Sequence, residues 1–127
     1  MIVGTGIDLV EIGRIESAIA RYGARFLDRV YTRAEQEYCQ RKRNSAESFA
    51  ARFAAKEAAA KALGTGIGYG VTWREIEVTR EPGRRPNIRF YGRAAEMAAH
   101  LGAAHASLSI SHTGALAMAS VAIEDGG

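Results

Sequence analysis

The chain has 127 residues and a mass of 13.7 kDa, the size of one domain, which excludes a multidomain enzyme or a long repeat array. Apolar residues make up 47% and charged residues 24%, the balance of a globular chain and not of a disordered tail, a collagen-like rod or a disulfide scaffold. Seventeen basic side chains against fourteen acidic ones leave +3, a mild bias that suits a nucleic acid, a nucleotide or an acidic protein without choosing among them.

Ile2 to Asp8 is apolar and glycine-spaced, short enough for a buried strand with Asp8 at its end. From Glu11 the period changes to that of a helix through Ile12, Ile15, Ile19, Tyr22 and Phe26, with Gly23 as a possible divider. Arg14, Arg21 and Arg25 lie on its other side. Thr32-Arg-Ala-Glu35 has the form of a capping box and predicts a helix from about Arg33 to Arg43, with a break at Asn44-Ser45. Ala46 to Leu63 is the strongest helix signal, being built from the best helix formers and stopped by Gly64. A glycine-rich loop, Thr65 to Gly70, precedes a predicted strand over Val71 to Thr79; Pro82-Gly83 then turns the chain into a second strand, Asn87 to Tyr91. Arg93 to Leu101 reads as a short helix, and Ser107 to His112 and Leu116 to Ile123 as strands joined through Thr113-Gly114.

Cys39 is the only cysteine, so an internal disulfide and a cysteine zinc cluster are excluded and a reducing, cytoplasmic compartment is expected. The opening residues lack a basic region and meet Asp8 early, so no signal peptide is expected. No run reaches the ~20 apolar residues of a membrane span.

Two carboxylates stand out, Asp8 on the first strand and Glu57 in the Ala-rich helix, because magnesium is commonly held by one or two carboxylates with substrate phosphates and waters completing its shell. Spacing alone does not show that they meet, and Asp8 also suits a turn or helix cap. Phe49, Phe53, Glu57, Lys61 and Gly64 share one helical stripe. A Glu and Lys one turn apart on a half-apolar stripe would set a metal-binding carboxylate beside a phosphate-binding ammonium; as a plain surface pair they would contribute only about 0.3 to 0.5 kcal/mol. The glycine-rich loop fits no dinucleotide or phosphate-loop fingerprint. His112 ends a strand beside Ser111, but neighbouring strand residues face opposite ways, so the two cannot act as nucleophile and base. A phosphate contact by His112 and a filler role remain open. The arginines suit carboxylate or phosphate recognition or a solvated face, and no nucleic-acid-binding signature accompanies them.

Gly6-Ile-Asp8-Leu-Val-Glu11-Ile, Phe49-x-x-Arg52-Phe53-Ala-x-Lys56-Glu57-Ala-x-x-Lys61-Ala-Leu-Gly64-Thr-Gly66 and Leu108-Ser-Ile-Ser-His112 together resemble the bacterial holo-acyl-carrier-protein synthases, the short 4′-phosphopantetheinyl transferases. The resemblance spans almost the whole chain, and departs at Gly83-Arg84-Arg85-Pro86, where the family usually reads Gly-Lys-Pro. It implies a single α+β domain over residues 1–127 with a mainly antiparallel sheet and a long Ala-rich helix, assembled as a homotrimer with sites at subunit interfaces. It implies transfer of the phosphopantetheine arm of coenzyme A to a serine of an apo acyl carrier protein, with Mg2+ required and no nucleic acid or membrane as partner. By the same resemblance Asp8 and Glu57 hold the metal, and Asp8, Glu57 and Lys61 form the catalytic group. Arg52, Lys61, Gly64 and His112 contact coenzyme A, and Arg14, Arg21 and Arg25 bind the carrier protein. Two other functions stay open at this point: a magnesium-dependent enzyme that cleaves a nucleotide pyrophosphate with water as acceptor, and a small basic binding module without chemistry.

Overall fold

In the computed structural model, which describes residues 1–127, the glycine-spaced start of the chain is strand β1 (Ile2–Glu11). Asp8 does not end this strand, as expected from sequence, but sits inside it opposite Ala119. Leu9 and Val10 still have partners in Met118 and Ala117, and the ladder stops only where the Ile12 amide turns to the Ala115 carbonyl at 2.9 Å. Helices α1 (Ile12–Tyr22) and α2 (Ala24–Val30) follow, divided by Gly23 at φ 54°. The arginine stripe is therefore broken: Arg14 and Arg21 belong to α1 and Arg25 to α2.

The Thr32/Glu35 capping box opens α3 (Arg33–Gln40), which ends three residues earlier than expected because the Lys42 amide already closes a turn onto the Cys39 carbonyl at 3.1 Å. The sequence break at Asn44 is the cap of the next helix, α4 (Ser45–Ala62), whose Glu47 amide donates to the Asn44 side chain at 3.2 Å. At the far end Gly64 adopts φ 86°, and the amides of Thr65 and Gly66 return to the Ala60 carbonyl. Alanine on nearly every face lets α4 be buried nearly all round: Ala50, Ala54, Ala55, Ala58, Ala59 and Ala60 are fully covered.

Val71 to Thr79 is not one strand. Trp73–Glu75 forms a 3₁₀ turn and only Ile76–Thr79 (β2) pairs, with Asn87–Phe90 (β3). The Glu75 carboxylate accepts from the Thr72 amide at 2.7 Å and the Thr72 hydroxyl at 3.0 Å, and this cap competes successfully with the alternating pattern. Its other oxygen accepts from the Arg93 amide at the start of α5 (Gly92–His100). The amide of Thr72, and then that of Arg93, hold the Glu75 carboxyl below the usual carboxylate range. Because its folded-state pKa lies below the unfolded one, the stability it supplies is complete above the unfolded value of about 4.3 and fades as pH falls through the lower folded value. Glu75→Ala is thus expected to cost about 1 kcal/mol at pH 7, and urea titrations should find the gap to the wild type closing below pH 4.

Strands β4 (Ala103–His112) and β5 (Leu116–Asp125) complete a three-stranded sheet of order β1-β5-β4, so the chain contains two sheets, both antiparallel. The inner face, with Ala117, Ala119, Val121 and Ile123, packs on α4. The outer face is uncovered: Ile7, Leu9 and Met118 are 61%, 56% and 41% exposed, in cross-strand rows with Ser109, Ser111 and Ser120. No helix is long and apolar enough to cross a membrane.

Candidate active site

The close approach of β1 to α4 begins with two residues that lack side chains. A Cβ built on Gly4 would collide with the Ala62 carbonyl, and one on Gly6 with the Ala58 carbonyl. Strand backbone therefore lies directly on helix backbone, and Asp8, two residues further along the same face, is carried to the Glu57/Lys61 edge of α4. The Lys61 ammonium, half exposed, donates to Asp8 Oδ1 at 3.0 Å and to the Ile7 carbonyl at 3.1 Å; the Asp8 side chain is only 18% exposed. Burial, and then the neighbouring Asp8 carboxylate, push the Glu57 carboxyl up, while Lys61 pulls it partly back. The three residues singled out from sequence thus meet. The stripe also has the expected gradient, from buried Phe49 through half-buried Phe53 and Glu57 to Lys61 at the surface. Two carboxylates with one ammonium form a site that can bind a divalent cation and a phosphate together.

Arg52 and His112 lie elsewhere. His112 is two strands from Asp8 and two residues along, roughly 12 Å between Cα atoms, and Arg52 leaves α4 about 140° around from Glu57. Both line a cavity of about 560 Å³ at the other half of α4, with Lys42, Arg43, Arg80 and Arg85. His112 Nε2 lies 3.3 Å from Glu47 Oε1. Arg52 is buried, with Nη1 donating to the Val78 carbonyl at 2.6 Å and its guanidinium 4.1 Å above the Tyr38 ring. His112 faces the α4 side of the sheet and Ser111 the outer side, as their strand positions require. Gly64 sits in the turn after Lys61, and Arg14, Arg21 and Arg25 are all exposed.

Sequence reasoning missed the rest of the basic cavity. Lys42, Arg43, Arg80 and Arg85 come from the α3–α4 turn and the β2–β3 hairpin, and only Arg85, in the departing Gly-Arg-Arg-Pro segment, carried any signal. It also missed a fully buried ion pair, Lys56 Nζ to Glu35 Oε1 at 2.6 Å. Glu35 was legible as a helix cap alone, because nothing local marks the partner 21 residues on.

An α+β fold that gathers two carboxylates and a lysine at one edge of its sheet, near a cavity ringed by cations, is of the kind that handles phosphorylated substrates. Residues 4–119 match the family model of the 4′-phosphopantetheinyl transferase superfamily. A holo-acyl-carrier-protein synthase of Koribacter versatilis is 60% identical over 125 residues, 98% of this chain and 100% of that protein, and one from Solibacter usitatus is 50% identical over the same share of each. The crystal structure of the Helicobacter pylori holo-acyl-carrier-protein synthase in complex with coenzyme A superimposes with a TM-score of 0.83 at 34% identity, covering 94% of this chain and 99% of that one. The chain belongs to the 4′-phosphopantetheinyl transferase superfamily and, within it, to the holo-acyl-carrier-protein synthases.

Proposed function

We propose that the chain, acting over residues 1–127 as one catalytic domain, transfers the 4′-phosphopantetheine arm of coenzyme A to a serine of an apo acyl carrier protein and releases adenosine 3′,5′-bisphosphate. The observation that carries this reading is the meeting of Asp8, Glu57 and Lys61 in a chain similar along its whole length to holo-acyl-carrier-protein synthases. The serine oxygen forms a bond to the phosphorus that bears the pantetheine as the bond to the departing bisphosphate breaks, and the hydroxyl proton is released to solvent. Such a step calls for charge neutralisation and alignment more than for a covalent protein intermediate. Lys61 holds a phosphate oxygen of the coenzyme. Asp8 and Glu57 would hold Mg2+, and the donor set fits: two carboxylates close enough for one to raise the other would be relieved by a divalent cation. When bound, magnesium neutralises charge on the pyrophosphate.

The nucleotide end of coenzyme A carries further phosphate, which suits the cavity ringed by Lys42, Arg43, Arg52, Arg80, Arg85 and His112. Gly64, in the turn that follows Lys61, is assigned to the same substrate on the family resemblance. A homotrimer accounts for two features at once. It would cover the apolar outer face of the β1-β5-β4 sheet, and it would let the two groups that lie roughly 12 Å apart in one chain serve sites shared between subunits. The compartment is the cytoplasm, which agrees with a single, buried cysteine.

Mass spectrometry of an apo carrier protein incubated with coenzyme A and magnesium tests the activity. Gain of a phosphopantetheine mass is expected; coenzyme cleavage without that gain would identify water as the acceptor, and no reaction would leave a binding module. The docking role of Arg14, Arg21 and Arg25 has a separate test. Charge reversal of Arg14 and Arg21 should raise the KM for an acidic carrier protein severalfold, and the wild-type KM should itself climb with salt as the ~10 Å screening length at 0.1 M shortens. The KM for coenzyme A should hardly move, and equal losses for both substrates would point to damage to the fold.

A further inference from the structure

Lys56 immediately precedes Glu57 in α4, yet it leaves the helix about 100° around from it and is completely buried. Its ammonium makes three contacts, to Glu35 Oε1 at 2.6 Å, the Trp73 carbonyl at 3.0 Å and the Ile76 carbonyl at 2.5 Å, which uses every donor a lysine has. Glu35, also fully buried, accepts from the Thr32 amide through Oε1 and from the Val78 amide through Oε2, both at 2.9 Å. One ion pair therefore ties the start of α3, the middle of α4 and the Trp73–Val78 segment together.

Stability is a weak reason for such a pair. Desolvation offsets most of its attraction, and apolar side chains of similar volume often replace a buried ion pair at no loss. What the pair supplies is direction. On its opposite flank α4 meets β1 through Gly4 and Gly6 against the backbone of Ala58 and Ala62, a main-chain contact in which no strand side chain interlocks with the helix. The Arg52 bond to the Val78 carbonyl and the Tyr31 bond to the Phe49 carbonyl hold its first half, which leaves Lys56 as the buried tether nearest Glu57 and Lys61. Glu57 and Lys61 hang from that helix, while Asp8 hangs from the strand, so any slip separates them. A misplacement of 1 Å at reacting groups can cost about 100-fold in rate.

We propose that Lys56 and Glu35 are positioning residues: they set the axial and rotational position of α4, and through it hold Glu57 and Lys61 against Asp8. The inference rests on the reading of Asp8, Glu57 and Lys61 as the reaction site.

The test compares the wild type with Glu35→Leu/Lys56→Met, which replaces the ion pair by apolar side chains. The expected result is a folded protein with Tm lowered by roughly 10 °C, because the Thr32 and Val78 amides and the Trp73 and Ile76 carbonyls lose a partner, a kcat lowered about 30- to 100-fold at a temperature where it is fully folded, and a KM for carrier protein within about threefold. A folded double variant with wild-type kcat would overturn the proposal, since a purely structural pair predicts that result. Should the double variant fail to fold, Glu35→Gln/Lys56→Met, which leaves no buried charge unpaired and keeps an acceptor oxygen for one of the two amides that Glu35 serves, carries the same comparison, and unchanged kcat in it would likewise overturn the proposal. Adding Lys61→Ala to the double variant should cost less than it does in the wild type, because the slipped helix no longer presents Lys61 to the substrate; full additivity would count against the proposal. Glu57→Gln is assayed in parallel: if that variant alone keeps its activity, the assignment of the reaction site fails, and it does so independently of the ion pair.

Discussion

Asp8→Asn and Glu57→Gln are each expected to reduce carrier-protein modification by at least about 100-fold while the protein stays folded. Each change keeps the volume and removes one negative charge from a pair of carboxylates whose repulsion Lys61 offsets only in part. For Glu57 the expected stability change even has a favourable sign. Burial and the Asp8 carboxylate already push its carboxyl up, so the charged form is disfavoured in the folded protein and a neutral amide relieves that strain. Asp8→Asn leaves the Lys61 ammonium with an amide oxygen in place of a carboxylate and should lose a little stability at a half-exposed pair. Urea titrations beside turnover measurements at limiting magnesium check both halves. Turnover near the wild-type rate in either variant would remove that residue from the site, and a collapse in stability would make the loss of activity structural.

The parts of this site that could be read from the sequence are those whose signal is local. The Ala-rich helix, its Gly64 stop and the Thr32/Glu35 box depend on residues within a turn of one another, and they stand where expected. The Phe49-to-Lys61 stripe follows from helical period alone. The strand end at Asp8 was misplaced because the continuation of β1 depends on β5, more than 100 residues away, whose Ala117 and Met118 pair with Val10 and Leu9. The 3₁₀ turn at Trp73–Glu75 went unseen because alternation in Val71 to Thr79 argues for a strand, and the side-chain cap that overrides it is not periodic. The Lys56–Glu35 pair and the cation-ringed cavity lie further beyond reach, since their members come from α3, α4 and the β2–β3 hairpin and meet only in the folded chain. Asp8, Glu57 and Lys61 were legible as chemistry, and their meeting was not, because it depends on how closely a strand approaches a helix.

That approach makes the opposite responses of two glycines the other large effect expected. Neither Gly6 nor Gly13 has a positive φ, so on backbone grounds alone alanine at either position should stabilise the protein by about 0.4 to 1 kcal/mol through the unfolded chain. At Gly13, on the exposed side of α1, nothing lies within 4 Å of an added Cβ, and the helix gains a better former. Gly13→Ala is accordingly expected to raise Tm by a few degrees with unchanged turnover. At Gly6 the added methyl meets the carbonyl of Ala58, with the Ala58 carbon and the Ala62 amide each 2.9 Å away. These are main-chain atoms of a buried helix and have no rotamer to give, so β1 must move off α4. Overpacking of this kind costs about 1 to 3 kcal/mol or more, which exceeds the backbone gain and reverses its sign. The displaced strand carries Asp8, so activity should fall further than stability does. Denaturant midpoints and turnover for the two variants, assayed under conditions where both are fully folded, decide the matter. Equal stabilisation at both sites would show that strand and helix have room between them, and Gly6 would then have no part in bringing Asp8 to Glu57.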